Sequence, residues 1–343
     1  MEQKHDGRHP GGGGAYPENI SFLIYSAMSF VRTVLGDIEP SQMGVTYSHE
    51  HIVIEESFPV LQNPDFLLND TTKISAELKA VYMAGGRTMV DTMPAACGRN
   101  VIKLAEVSRL SGIQIIAPTG IHLPVYYPPG HWQFYLSEEQ LTQLFIDDVV
   151  IGIDRYDYSS PVVERTSHKA GMIKLASGDE PFDDNLKKIF RAVVATHKKT
   201  GVAILTHTNA GKHAVEQAEL FSQLGADLSH VVISHVDRCD DLGYHHALMQ
   251  TGVRVEYDSA FSWKPGGENL TFLLLEKLLP DYPDQITVGM DAARHTYWNS
   301  YGGKPGLTYL LTDFVTELHK RGLASYQKKI FIENPRELYA FVK

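Results

Sequence analysis

Eight short apolar, β-branched segments recur along this chain of 343 residues, at 44–51, 87–93, 113–120, 171–177, 202–208, 230–236, 253–259 and 285–291. Each closes on polar, Gly or Pro residues. Segments with helical spacing lie between most of them, at 74–84, 100–111, 185–200, 214–224 and 240–251. Strands alternating with helices of this length form βαβ units and a parallel sheet. Eight such strands predict an α/β fold closed into a (β/α)8 TIM barrel, rather than an open sheet. Such barrels fold as one domain of roughly 250 residues or more. No composition shift or long linker divides the chain, so residues 31–343 are expected to form a single domain. Residues 1–30, with the glycine run from Gly11 to Gly14, are expected to be a flexible leader or an expression-derived extension. The apolar run at 20–31 is interrupted by Tyr25, Ser26 and Ser29 and lacks the strongly basic flank of a signal peptide. No run approaches the roughly 20 apolar residues of a membrane span.

Charge and cysteine content narrow the partners. The net charge of -10, from 31 Lys+Arg against 41 Asp+Glu, argues against nucleic acid or an anionic membrane as partner. It leaves room for an anionic small molecule, because local cations dominate a pocket. The two cysteines, Cys97 and Cys239, make neither a disulfide framework nor a thiolate metal site. They read as packing residues of a cytoplasmic protein. Histidine, at 16 residues, is the abundant metal-capable type.

The strand ends carry the chemistry. Strand one closes Tyr47-Ser48-His49-Glu50-His51. Side chains alternate with period two, so His49 and His51 point to one side, the barrel interior, and can chelate one ion. Strand four ends Ile173-Lys174-Leu175, strand five Leu205-Thr206-His207, strand six Ile233-Ser234-His235 and strand eight Gly289-Met290-Asp291. Singly, each has an ordinary explanation: a hydrogen-bonded histidine, an ion-paired lysine, a helix N-cap. Together, five strands end on metal-capable residues at the rim that carries function in this fold. Imidazole and carboxylate without thiolate suit divalent Zn, Mn, Co, Ni or Fe, with Zn first. Four histidines and one aspartate exceed the needs of one open tetrahedral ion, so two divalent metal ions roughly 3.5–4 Å apart are expected. An ammonium at Lys174 would be repelled by them. Its neutral amine can instead take up carbon dioxide as a carbamate, whose two oxygens bridge the ions, and a bridging hydroxide would be the nucleophile.

At this point the chain resembles the phosphotriesterase family of the amidohydrolase superfamily. The carriers are Gly44-Val45-Thr46-Tyr47-Ser48-His49-Glu50-His51, Gly171-Met172-Ile173-Lys174, Thr206-His207-Thr208, Ile233-Ser234-His235, Gly289-Met290-Asp291 and the ending Ile332-Glu333-Asn334-Pro335. The resemblance implies a metal-dependent hydrolase acting on esters. It also implies His49, His51 and Asp291 on the more buried ion, His207 and His235 on the more exposed one, a carbamylated Lys174 between them, and Asp291 as catalytic general base. The family opens lactones, and some members cleave organophosphate triesters. The triesterases carry His directly after the strand-seven Asp, whereas here Asp258 is followed by Ser259. Arg238 falls where a relay acid is sought.

Lys264, Arg294 and Tyr297, on the loops after strands seven and eight, form a candidate substrate-binding clamp for a phosphate monoester or carboxylate. In the bland alternative Arg294 pairs with an acid such as Asp258. The trio resembles family members that open phosphorylated sugar lactones, so a 1,4-lactone of a five-carbon aldonic acid phosphate is the expected substrate. The rivals are an organophosphate hydrolase or acyl lactonase with an apolar pocket around Tyr126, Tyr127, Trp263 and Trp298, a deaminase or amidase of the superfamily, and a barrel that binds without catalysis. A homodimer is expected by analogy. Asp91 reads as a contact to a ligand histidine or as structural, Gly85-Gly86 as a helix end, and His245-His246 as an exposed helical pair.

Overall fold

A computed structural model describes residues 29–262 and 268–341. Its centre is a ring of eight parallel strands: β1 (Val45–Glu50), β2 (Gly86–Asp91), β3 (114–120), β4 (Met172–Ala176), β5 (Ala203–His207), β6 (Val231–Ile233), β7 (Arg254–Tyr257) and β8 (Ile286–Val288). All eight expected segments are strands, and each pairs with its neighbour in sequence. β3 is split at Ala117: Gln114–Ile116 pairs with β2, and Pro118–Gly120 pairs with β4. The ring closes where the amides of Met290 and Asp291 both donate to His49 O, at 3.3 and 3.0 Å. The barrel is thus a (β/α)8 cylinder with the strand C-termini at one mouth.

Two glycines allow close approach at that mouth. A Cβ on Gly289 would lie 2.8 Å from both the His49 amide nitrogen and Glu256 Oε1. Gly120, at φ +105°, would place one 1.9 Å from Lys174 O. No side chain fits either contact, so glycine at both places is a packing requirement.

Eight helices follow the eight strands: Thr71–Met83, Val101–Ser111, Glu138–Val150, Asp184–Thr200, Ala214–Leu224, Leu242–Gln250, Leu270–Leu278 and Asp313–Lys320. Asp70, Asn100, Ser137, Asp183 and Asp241 cap five of them by accepting first-turn amides. Glycines in the left-handed region, Gly112, Gly201 and Gly225, end three of the eight helices. Sequence periodicity missed Glu138–Val150, Leu270–Leu278 and Asp313–Lys320. Leu270–Leu278 buries one face, but the run Phe272-Leu273-Leu274-Leu275 puts apolar residues beyond it, so its sequence shows no single stripe. His245 corrects an expectation: it is fully buried, with Nε2 on Cys239 O and Nδ1 on Tyr257 Oη, while His246 is half-buried. No described helix is long and apolar enough to cross a membrane.

Candidate metal centre

The six sequence-predicted ligands converge. His49, His51, Lys174, His207, His235 and Asp291 all line one cavity of about 310 Å³ at the C-terminal mouth. The His49 and His235 rings are 4.9 Å apart, His207 and His235 4.5 Å, and His49 and His51 5.8 Å. Ligand atoms of His49, His51 and Asp291 lie within 4.8 Å of one another, as do those of His49, His235 and Asp258. Asp291 Oδ1 is 3.2 Å from His51 Nε2 and 3.7 Å from His49 Nε2. His235 and Asp291 adopt positive φ, 64° and 50°. Non-glycine residues rarely hold that conformation, and it aims both side chains inward from strand ends.

The charge states suit metal ligation. Burial first, and then Lys174, holds His49 well below the ordinary imidazole range. Burial and His235 do the same to His207. Burial pushes His235 down to about 3 although Asp291 opposes it. All three are therefore neutral lone-pair donors near neutral pH. Burial would raise Asp291, but His235 and then His51 and His49 outweigh it and hold the carboxyl well below its usual range. Lys174 Nζ is 3.3 Å from His49 Nε2, makes no ion pair with a described carboxylate, and is pushed down to about 8 by burial. A buried amine among imidazoles, with no ion-paired acid, fits a carbamate better than a structural cation.

A surrounding set of side chains orients the ligands, and sequence reading missed most of it. Glu256 Oε2 is 2.7 Å from His49 Nδ1 and also accepts from Ser234 Oγ at 2.7 Å. Asp258 Oδ2 lies 2.7 Å from His235 Nδ1, off the N–H direction, and accepts from the His235 amide at 3.3 Å. Asn209 Oδ1 is 3.0 Å from His207 Nε2. Met93 Sδ is 3.0 Å from His51 Nδ1. Asp91 touches no ligand histidine; its Oδ1 accepts from the Ile52 amide at 2.8 Å. Glu50 is fully buried and accepts from the amides of Met290 and Ala292, bracing the turn that carries Asp291. The cavity also contains His122, whose ring is 5.0 Å from that of His207. Partners that orient metal-ligating histidines govern affinity. Glu256→Gln is therefore expected to weaken metal binding about 10–100-fold, read by competition with a chelating dye; unchanged affinity would reduce Glu256 to packing.

Of the proposed clamp, Arg294 and Tyr297 line the same cavity. Arg294 does not pair with Asp258. It pairs with Asp65, and its guanidinium lies 4.5 Å over the Phe66 ring. Lys264 lies outside the described residues, as does Trp263. Tyr126 lines the cavity. Tyr127 and Trp298 are instead buried, with Tyr127 Oη donating to Ala95 O and Trp298 Nε1 to Ala292 O, at 3.1 and 2.8 Å.

Comparison with known proteins places the chain in a family and matches its fold. The model of the phosphotriesterase family matches residues 29–339. A phospho-furanose lactonase of Mycoplasmopsis agalactiae is 31% identical over 331 residues, covering 91% of this chain and 92% of that protein. The crystal structure of a lactonase from Listeria monocytogenes superposes with TM-score 0.84 at 31% identity, covering 92% of this chain and all of the other. The phosphotriesterase homology protein of Escherichia coli, solved with phosphate in its active site, gives TM-score 0.78 at 27% identity over 87% of this chain and 99% of its own.

Proposed function

The chain belongs to the phosphotriesterase family, and from that membership we propose that it opens a phosphorylated five-carbon sugar 1,4-lactone, using water and a two-metal site. The observation that carries the reading is the presence of Arg294 and Tyr297 in the same cavity as all six ligand candidates. A phospho-furanose lactonase among the relatives, and a relative that holds phosphate in its active site, support it. His49, His51 and Asp291 would hold one ion, and His207 and His235 the other, with Lys174 carbamylated between them. The ions, zinc first among the candidates, would supply Lewis acidity toward the lactone carbonyl and lower the pKa of water.

The chain's own residues do the rest. The neutral Lys174 amine adds to carbon dioxide, forming an N–C bond and releasing one proton. Asp291, kept ionised, takes the proton of the attacking water. Glu256 fixes the ring of His49, and Asp258 holds the backbone amide of His235. Arg294 and Tyr297 grip the phosphate away from the reacting carbonyl, so binding energy there orients the ring. Lys264 would complete that grip.

Arg294→Ala is expected to raise KM for the phosphorylated lactone about 10–100-fold, the worth of a charge-assisted hydrogen bond of about 1.5–3 kcal/mol. The unphosphorylated lactone should change little. Equal effects on both would remove Arg294 from phosphate recognition. The apolar-lactone alternative draws on Phe66, Tyr126 and Phe261, which share the cavity wall. It predicts that long-chain acyl lactones outperform the sugar phosphate when assayed side by side.

A further inference from the structure

Arg238 is tethered through two of its three nitrogens and, among the described residues, free on the third. Nε donates to Ser259 Oγ at 2.8 Å. Nη2 faces both Asp258 Oδ1, at 3.3 Å, and Asp291 Oδ2, at 3.2 Å. Nη1 makes no hydrogen bond to a described residue. The tether is itself braced: Ser259 donates its amide to Asp237 Oδ2 at 2.9 Å and its Oγ to Asp237 Oδ1 at 3.1 Å. Asp237 is fully buried and also accepts from Thr271 Oγ1 at 2.7 Å. An arginine that neutralises a buried acid frequently grips it bidentately. Here both carboxylates share one nitrogen. The side chain remains 39% exposed and lines the cavity.

We propose that Arg238 is a further catalytic residue, whose Nη1 donates to the lactone ring oxygen as the carbon–oxygen bond breaks. The inference rests on the lactonase reading. Water, its proton passing to Asp291, adds to the carbonyl carbon. The bond from that carbon to the ring oxygen then breaks, and the electron pair stays on the oxygen. The proton returns from Asp291 to that oxygen, so one lactone and one water give one hydroxy acid. Arg238 keeps its proton throughout, since a guanidinium is not deprotonated in proteins. It contributes a fixed positive donor where charge appears only in the transition state. Its contact with Asp291 places that donor beside the group that returns the proton. Arg238 and Ser259, the two departures from the triesterase pattern, thus form one device: the serine sets the plane of the guanidinium, and the guanidinium meets the leaving oxygen.

The test compares leaving groups on the metal-loaded full chain. One probe is the five-carbon 1,4-lactone phosphate, which expels an alkoxide. The other is dihydrocoumarin, which expels a phenolate with pKa near that of tyrosine, about 10. Arg238→Ala is expected to lower kcat about 10²–10³-fold on the first, the loss seen on removing an oxyanion donor. On the second, the expected loss is less than about tenfold by the same reasoning. Millimolar guanidinium should restore part of the first rate and leave the second unchanged. Equal losses on the two probes would show that Arg238 acts by holding Asp291, and would overturn the proposal, as would absence of rescue. Metal content and melting temperature establish that the variant is folded. If Arg238→Ala does not fold, Arg238→Lys carries the same two-probe comparison. If the unaltered protein opens γ-butyrolactone but not the phosphorylated lactone, the phosphate reading alone falls, and γ-butyrolactone serves as the alkoxide probe. If it opens no lactone, the lactonase reading and this proposal fall together.

Discussion

Asp291→Asn is expected to lower kcat/KM for lactone opening by about 10²–10⁴-fold, the usual contribution of a positioned acid–base group. The residue sits where three influences meet. Its Oδ1 faces His51 Nε2, its Oδ2 faces Arg238, and its backbone is held at positive φ by the amide contact to His49 O. Asparagine keeps that shape and the positive-φ tolerance, but it cannot take a proton from water. The loss should therefore fall on chemistry more than on folding. Steady-state kinetics of the metal-loaded variant, with metal content and melting temperature measured alongside, check this. Activity within tenfold of the unaltered protein would exclude Asp291 as the base.

Lys174→Met is expected to have an equally large effect by a different route. It removes the one side chain proposed to bridge the ions, and metal affinity should fall by more than the roughly 100-fold that loss of an orienting partner costs. Activity should follow it. The metal-free variant, by contrast, should be more stable than the unaltered protein at neutral pH. The sign follows from the depressed amine pKa, about 8 in the folded chain against about 10.4 unfolded. The cost of burying the amine is fully present below about pH 8 and disappears as pH rises toward the unfolded value. Methionine never incurs it. The same titration sets reconstitution: carbon dioxide adds only to the neutral amine, so metal uptake by metal-free protein in bicarbonate should quicken as pH rises through about 8, then level off. Thermal melts of both metal-free proteins, and uptake rates across pH 6–9, give the readings. A metal-free Lys174→Met protein that melts lower than the unaltered chain would mean that Lys174 is a stabilising structural cation.

The ligands were legible because strand period and barrel polarity act together. Period two puts His49 and His51 on one side, and the fold rule says which end of the strand matters. The same rule reaches Glu256 in β7, which stands two residues before Asp258 and so shares its face; a carboxylate between Val255 and Tyr257 is the signal. Glu50 misleads the rule. Alternation assigns it to the outside of β1, yet it is buried in the joint with β8 because the turn after β8 needs an acceptor for its amides. His122 follows β3 in an irregular stretch, where no periodicity speaks, and its neighbour His207 is set by the order of strands around the ring. Arg294 and Asp65 are 229 residues apart. Nothing local in the sequence announces that pair, and its existence depends on the loops after β8 and β1 crossing the mouth together. The helix Leu270–Leu278 was hidden for the opposite reason: with apolar residues on several sides, the stripe that identifies a surface helix is absent.

The closure of the ring at His49 O has a mechanical meaning. Every other neighbouring pair of strands is joined by a stretch of chain that includes a packed helix. β8 and β1 come from opposite ends of the described chain and meet through amides after β8 that donate to His49 O and to the Glu50 carboxylate. An ion gripped by His49 and His51 from the first stave and by Asp291 beyond the last would act as the rivet of a hoop. It would fasten the cylinder at the one joint that chain continuity leaves unbraced, and it would hold shut a loop nearly as long as the whole fold. Stripping the ions with a chelator would then loosen the hoop in the same act that silences the enzyme.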